Sequence, residues 1–405
     1  MGKSKLQLYL ALSSYLVGSL SSGIFTFILS LYILRLTGSS LAFSVILLLE
    51  PMALLVSSPF VGSVVDRAER KCVVIWAQSV SIGVVLVAIA AFSFVSTTQF
   101  QLIMAAFLVF CLTLCDNFQK VAYKAATVNL VEKTDYQRLI AGEQTVVALM
   151  MLLAPILGGI LFPLLSLTQA MVVEIFGEAL VLVLLAKLSF NAFGEKFVSS
   201  ADNKRGRGFL LGLTYIGQDK ILVALLLFGV LANLALSALI IGEPIVLLQQ
   251  YHVSPKIYGG VEACLALGMI LGSVLMEIFA VKGDKCSYTA KVGLLITVVF
   301  LMLALISFSD HRLWIIVIFA IGLGLLGIAI CLANTPYMLH MRTKVDLKHQ
   351  GRINATADAI TSIALPVGLG LFGLLFNYFP AGLIFFGAGI VVLVASLWLA
   401  QQGNI

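Results

Sequence analysis

Charged residues are scarce in this chain. Asp, Glu, Lys and Arg make up only 11% of its 405 residues, whereas hydrophobic residues make up 61%. An ordinary soluble domain is about one quarter charged. Because a soluble fold could not cover so much apolar surface, the composition excludes a soluble enzyme or binding domain and indicates an integral membrane protein.

Motifs for catalysis and metal binding are also missing. The six cysteines form no CxxC pair, which argues against a zinc site and a disulfide framework. The sequence has no GxxxxGK[ST] loop for ATP, no HExxH motif and only four scattered histidines. No basic run with interleaved aromatic residues indicates nucleic-acid binding. We therefore expect no cofactor; a membrane enzyme and a receptor or scaffold are kept as minor alternatives.

Long apolar segments recur along the whole sequence. A bilayer core about 30 Å thick requires about 20 apolar residues per helix. The pattern predicts an all-α membrane protein with twelve transmembrane helices in two six-helix halves. The predicted spans are 7–34, 41–63, 72–95, 101–121, 139–164, 168–190, 221–249, 257–281, 288–309, 313–338, 353–377 and 380–401.

The distribution of basic residues predicts the orientation. An even number of spans places both termini on one side of the membrane. Placing them in the cytoplasm leaves only Arg35, Lys256 and Arg312 outside, as the positive-inside rule requires. We expect a multi-pass protein of the cytoplasmic, or inner, membrane.

The chain divides near its middle. A polar segment separates the spans six and six, which predicts an N-terminal half at 1–190, a cytoplasmic linker at 191–220 and a C-terminal half at 221–405. Residues 208–216 in the linker are expected to form an interfacial helix. The Pro155 and Pro366 segments resemble each other, which suggests a duplicated unit around a midplane cavity.

A charged loop motif follows the second span. It reads Gly62-Ser-Val-Val-Asp66-Arg67-Ala-Glu69-Arg70-Lys71. Gly62 allows close helix approach, and Asp66 can accept hydrogen bonds from a helix N-terminus in the other half. The basic residues can hold the turn to anionic lipid or to carboxylates. The motif predicts a conformational latch; positive-inside anchoring alone is the alternative.

This loop resembles the G-x-x-x-D-R-x-x-R-[RK] signature of the major facilitator superfamily. Segments such as Gly351-Arg352-Ile353-Asn354 and Asn334-Thr335-Pro336 look like its macrolide-efflux-type branch of drug:proton antiporters. The resemblance implies alternating access, export in exchange for protons and function as a monomer. The span-five antiporter motif is incomplete: Pro155, Gly158 and Gly159 remain, but Ala154 replaces its first glycine.

Acidic residues occur unusually often in the apolar spans. An ionised carboxylate at the bilayer centre costs about 2.5 kcal/mol or more on insertion scales. Without a basic partner, a desolvated carboxylate tends to bind a proton, and a cationic substrate could displace it. The acids in or at the ends of spans are Glu50, Asp116, Glu143, Glu174, Glu178, Glu243, Glu262, Glu277 and Asp358.

These acids differ in their expected roles. Glu50 before Pro51 and Glu243 before Pro244 are interpreted as matching positions of the two halves at interrupted helices, where substrate or protons bind. Glu262, Asp358, Glu174 and Glu178 are further candidates for coupling. Asp116 and Glu143 are equally compatible with a structural role at the cytoplasmic gate, and Glu277 with a latch.

The predicted substrate is a small amphipathic molecule. Many acids without a base near the midplane disfavour an anion and favour cationic or neutral, macrolide-like compounds, with the proton gradient as the energy source. Export or flipping of an endogenous lipid-like or siderophore-like molecule is the alternative, and nutrient uptake comes third.

Overall fold

The computed structural model describes residues 3–65, 67–94, 97–190, 192–193, 205–278, 284–308, 311–345 and 347–402. These residues form thirteen α-helices and no strands. The helices are α1 (Lys3–Thr37), α2 (Ser40–Val65), α3 (Arg70–Phe94), α4 (Thr98–Leu130), α5 (Tyr136–Leu161), α6 (Leu167–Lys187), α7 (Arg205–Gln218), α8 (Lys220–Pro244), α9 (Pro255–Ile278), α10 (Lys285–Ala304), α11 (Arg312–Lys344), α12 (Leu347–Tyr378) and α13 (Ala381–Gln402). All twelve predicted spans correspond to a long helix.

The long helices are apolar on their exposed as well as their buried faces. In α3, for example, Trp76 and Val87 are exposed while Val74 and Val85 are buried. A helix that is hydrophobic all round is typical of a membrane span. Among the described residues, eleven helices are long and apolar enough to cross a bilayer, and α2 contributes a shorter apolar stretch, Ser40–Leu54.

The remaining helix, α7, is short and contains the segment expected to be interfacial. Its helical structure agrees with the sequence pattern, and its location at the membrane surface stays a prediction. It ends just before Asp219, the N-cap residue of α8.

The helices group into two compact units. The first comprises residues 1–37 and 49–202, and the second comprises residues 38–48 and 203–405. The start of α2 joins the second unit because Ser40 donates a hydrogen bond to Asn377 at 2.7 Å and Ser44 packs against Gly373 of α12. The predicted N-terminal half, 1–190, instead keeps residues 38–48 with the other helices of the first unit. The predicted domain limits stay a prediction.

Both units repeat one packing pattern. In the first, α1 packs on α4, α5 and α6, and α3 packs on α4 and α6. In the second, α8 packs on α11, α12 and α13, and α10 packs on α11 and α13. Five helices of the first unit, α1, α3, α4, α5 and α6, thus have packing counterparts seven places later, which is the arrangement expected of a duplicated six-helix unit.

Small residues bring the helices close together. A Cβ atom on Gly158 of α5 would lie 2.6 Å from the ring of Phe27 in α1. Gly268 of α9 faces the backbone carbonyl of Gly324 in α11 so closely that a Cβ atom would overlap it. Such close backbone approach is the usual basis of helix association in lipid.

Candidate functional site

The structure separates the predicted acids by exposure. Glu174, Glu178 and Glu243 are buried, at 2%, 5% and 3% exposure. Asp116, Glu143 and Glu262 are partly buried, whereas Glu50 and Asp358 are exposed. The side chain of Glu277 lies outside the described residues. The burial therefore singles out one group of acids in each unit.

In the first unit, the buried acids lie on α6 where it packs against α1 and α3. Gln78 of α3 donates from its side-chain amide to the Glu178 carboxylate and, at 2.9 Å, to the Glu178 backbone carbonyl. Ser21 of α1 lies beside Glu174, and Ser81 of α3 lies beside Glu178. Three helices thus enclose the two carboxyl groups.

Two further acids of this unit have different surroundings. Asp116 lies on α4 one turn before Lys120, which interacts with it electrostatically. Glu143 of α5 lies near the hydroxyls of Tyr15 and Tyr123, from α1 and α4. Either environment suits a structural role at least as well as substrate contact.

In the second unit, Glu243 and Glu262 are neighbours. The two carboxyl groups, from α8 and α9, are close enough to interact electrostatically. Tyr258 donates a hydrogen bond to Oε1 of Glu262 at 3.1 Å. Oε1 of Glu243 is buried and has no hydrogen-bond partner among the described residues. A buried polar atom left unpaired costs about 1–3 kcal/mol, which keeps Glu243 a candidate for a functional role.

The backbone beside Glu243 is irregular. After Pro244 the helix continues as a π-helical turn, Ile245–Gln250. The N–H of Tyr251 donates to the carbonyl of Val246 at 3.0 Å, across five residues. Turns of this kind are frequent at functional sites.

The predicted match between Glu50 and Glu243 is wrong. Glu50 lies in α2, the second helix of the first six, whereas Glu243 lies in α8, the first helix of the second six. The counterpart of α2 is α9, which carries Glu262. Moreover, α2 continues through Pro51 without interruption. An acid followed by proline does not define a helix register, because prolines are common in membrane helices.

Asp358 and Glu50 are exposed, and Glu50 interacts electrostatically with Asp116. Asp358 is exposed on α12 and interacts electrostatically with Tyr337 of α11. Tyr337 itself donates a hydrogen bond to Asn354 at 2.8 Å. Their roles in substrate contact stay predictions.

The loop motif is described only in part. Asp66 lies outside the described residues, and Gly62 belongs to α2. Arg67 is exposed, and Arg70 begins α3. Lys71 donates to the backbone carbonyl of Ala186 in the last turn of α6 at 2.9 Å. A cation there satisfies a terminal carbonyl and interacts favourably with the helix dipole.

The span-five motif lies in the contact between α5 and α1. Pro155 is inside α5, and Gly158 and Gly159 are buried. Gly158 leaves room for the Phe27 ring. A Cβ atom added to Gly23 of α1 would lie 3.0 Å from the Cβ atom of Ala154. The observed role of these residues is close packing; their link to antiport direction stays a prediction.

Sequence reasoning missed the polar partners of the acids. Gln78 is 1% exposed and is the amide that fixes Glu178. The sequence signal that could have identified Gln78 is that it is a single amide inside an apolar span. A second missed network joins three helices of the second unit: His340 Nε2 lies 2.6 Å from Asp219 Oδ2, and Lys285 Nζ lies 3.2 Å from His340 Nδ1.

Comparison with known proteins agrees with this architecture. Residues 11–345 match the family model of the Major Facilitator Superfamily. The chain belongs to this superfamily. The predicted family and the all-α membrane fold are thus confirmed, and members of this superfamily are transporters of small molecules across membranes.

Relatives of known function in the superfamily share about a fifth of the sequence. Macrolide efflux protein A of Streptococcus pyogenes is 22% identical over 370 residues, covering 90% of this chain and 88% of the relative. Macrolide efflux protein A of Enterococcus faecalis is 22% identical over 319 residues, covering 78% and 94%.

Solved structures of the superfamily share the fold. A bacterial homologue of the iron transporter ferroportin, in an inward-facing state, has a TM-score of 0.73 at 15% identity and 98% coverage of both chains. A bacterial homologue of the human lysosomal transporter Spinster, inward-facing and unoccupied, has a TM-score of 0.71 at 14% identity, covering 100% of this chain and 98% of the other. At these identities the likeness concerns the fold alone.

Proposed function

We propose that this protein exports small amphipathic compounds, cationic or macrolide-like, across the cytoplasmic membrane in exchange for protons. Its substrate would be exposed alternately to the two sides of the membrane, and the termini would lie in the cytoplasm. We further propose that it acts as a monomer and that the loop motif stabilises one of its conformations. The names of the Streptococcus and Enterococcus relatives support the direction and the substrate class.

One observation supports the coupling of transport to protons. Each unit holds neighbouring acids whose described contacts include no Lys or Arg: the buried Glu174 and Glu178, and the buried Glu243 with the partly buried Glu262. Carboxyl groups inside a membrane protein are costly unless they are neutralised or paired. Reversible protonation neutralises them without a basic partner, and an inward proton gradient can then drive export.

Purified protein in proteoliposomes tests this proposal without other pumps. With an acidic interior and no ATP, we expect a fluorescent cationic dye or a labelled macrolide to accumulate inside. The accumulation would be carried out by the protein molecules whose cytoplasmic side faces the outside of the liposome. A protonophore should abolish the accumulation, and a sodium ionophore should not. Accumulation that persists after the proton gradient has collapsed would contradict proton coupling.

A lipid-like substrate is the second candidate. The second unit contains an apolar cavity of about 330 Å³ between α8, α12 and α13, lined among others by Leu234, Phe372, Leu375, Phe379 and Leu383. Such a lining suits an acyl chain. Gradient-dependent movement of a fluorescent short-chain lipid between leaflets, without dye or macrolide uptake, would favour this candidate.

A further inference from the structure

The two acids of α6 form an enclosed pair. Glu174 and Glu178 are four residues apart and therefore share one face of the helix. Their carboxyl groups lie within hydrogen-bonding reach of each other. With 2% and 5% exposure, neither is open to a bulky molecule.

Helix packing closes the space around this pair. Gly177, between the two acids, approaches Ser21 of α1 so closely that a Cβ atom would overlap the serine side chain. One turn further, Val181 lies 3.3 Å from where a Cβ atom of Gly18 would stand. These contacts leave room for a proton and exclude an amphipathic substrate of drug size.

The hydrogen bonds around the pair are unequal. The side-chain amide of Gln78 donates both to the carboxylate and to the backbone carbonyl of Glu178. Ser81 lies beside the same carboxyl group. Donors of this kind favour an ionised acceptor. In contrast, Glu174 has the hydroxyl of Ser21 beside it but no amide donor in the described part of the chain, and its Oε2 is buried with no hydrogen-bond partner there. Glu174 is therefore the acid suited to keep a proton, and Glu178 the one suited to accept its hydrogen bond.

Among the described residues, the charged group that acts on the pair is another acid. From α4, Asp116 acts on both acids, and Cys115 lies near Glu178. The groups contributed by α1 and α3 are the uncharged Ser21, Gln78 and Ser81. Lys120 is exposed and acts on Asp116. Two adjacent carboxylates in such surroundings cannot both ionise easily, so they share one proton.

We propose that the Glu174–Glu178 pair is the proton-binding site of transport and that it is separate from the place where substrate binds. A proton from outside converts one carboxylate of the pair to a carboxylic acid, and it leaves to the inside when both ionise. Substrate acts on this step through movements of α1 and α3 against α6, and not by touching the acids. The inference rests on the proposed proton coupling.

Proteoliposomes that carry the double variant Glu174→Gln/Glu178→Gln test this assignment. We expect gradient-driven accumulation of the dye to fall to the level of empty liposomes. Exchange of labelled for unlabelled dye, which needs no proton, should stay within about twofold of the wild type because the substrate site is intact. Glu132→Gln, an exposed acid of the same unit, is the control and should retain both activities.

Dye binding in detergent gives a second readout. Since protons and substrate oppose each other by linkage, the wild-type Kd should rise as the pH falls, by up to tenfold per unit. The double variant should bind dye independently of pH. Gln78→Leu should move the pH midpoint upward because ionised Glu178 loses a donor, whereas Ser79→Ala, an exposed neighbour on α3, should leave it in place.

The outcomes separate this inference from the proposed function. If the wild type itself ignores the proton gradient, the proposed function fails. If the wild type is coupled and the double variant stays coupled, only the assignment of the pair fails. Loss of dye exchange in a double variant that elutes as a monodisperse peak would show that the acids contact substrate, and would overturn the separation of the sites. Should the double variant not fold, an unmoved midpoint in Gln78→Leu would overturn the assignment.

Discussion

Replacement of Asp219 should destabilise the second unit in two separable ways. Oδ1 of Asp219 accepts the N–H groups of Ile221 and Leu222 at 3.1 and 3.0 Å and so caps α8. Oδ2 lies 2.6 Å from Nε2 of His340, which is 2% exposed. The ammonium of Lys285 has only donors, so Nδ1 of His340 accepts from it and Nε2 carries the hydrogen that Asp219 accepts.

The magnitudes follow from these contacts. Loss of an N-cap costs about 1 kcal/mol, and a buried N–H left unpaired costs about 1–3 kcal/mol. Asp219→Ala loses both contributions, about 2–4 kcal/mol in total. Asp219→Ser keeps a capping hydroxyl and loses only the acceptor for His340. For a unit of 150–250 residues, each kcal/mol lowers the Tm by about 2–4 °C.

Thermal unfolding in detergent, followed by intrinsic fluorescence, should rank the Tm values as wild type, then Asp219→Ser, then Asp219→Ala. Equal Tm values for the wild type and the serine variant would refute the contribution of the His340 contact. Equal values for the two variants would refute the cap.

The pH dependence gives an independent check. Burial raises the pKa of Asp219, but the hydrogen bond with His340 and those from the Leu222 and Ile221 N–H groups outweigh burial and hold the pKa below its ordinary value of 3.8. A carboxyl group with a lowered pKa stabilises the fold above its unfolded pKa, and this contribution is lost as the pH falls through the folded value. The Tm difference between wild type and Asp219→Ser should therefore be constant near neutral pH and narrow below about pH 3.8.

Two further predictions concern glycines. Gly268→Ala should prevent folding because the new Cβ would overlap the Gly324 carbonyl, and the monodisperse peak in size-exclusion chromatography should be lost. The control is Gly260→Ala in the same helix. Its new Cβ meets no atom within 4 Å, so this variant should elute as the wild type does. Gly38 has a φ of +58° in open space, so Gly38→Ala should lower the free energy of unfolding by about 1 kcal/mol, whereas Gly38→Asn should be nearly neutral; an equally stable alanine variant would contradict the backbone argument.

The sequence was sufficient for the fold because the length and apolarity of each span determine its helix locally. Each predicted span overlaps an observed helix, although α4 continues nine residues beyond the predicted end of span four. The paired acids Glu174 and Glu178 were also predictable, since a spacing of four places them on one helix face.

The partners of these acids were not predictable in the same way. Gln78 and Glu178 are 100 residues apart, and Asp219 and His340 are 121 residues apart. Helical periodicity shows which face of a helix is polar but not which neighbour meets it. The incorrect match of Glu50 with Glu243 arose for the same reason, because it compared residue types without the order of the helices.

The π-helical turn at Ile245–Gln250 absorbs a change of chain length beside Glu243. Such a turn accommodates one more residue than an α-helical turn of the same rise. Deleting a single residue there would restore ordinary helical spacing and leave the side chains on either side facing as they do now. The same deletion in a regular part of the helix would rotate one side relative to the other by about 100° and redirect the carboxyl group.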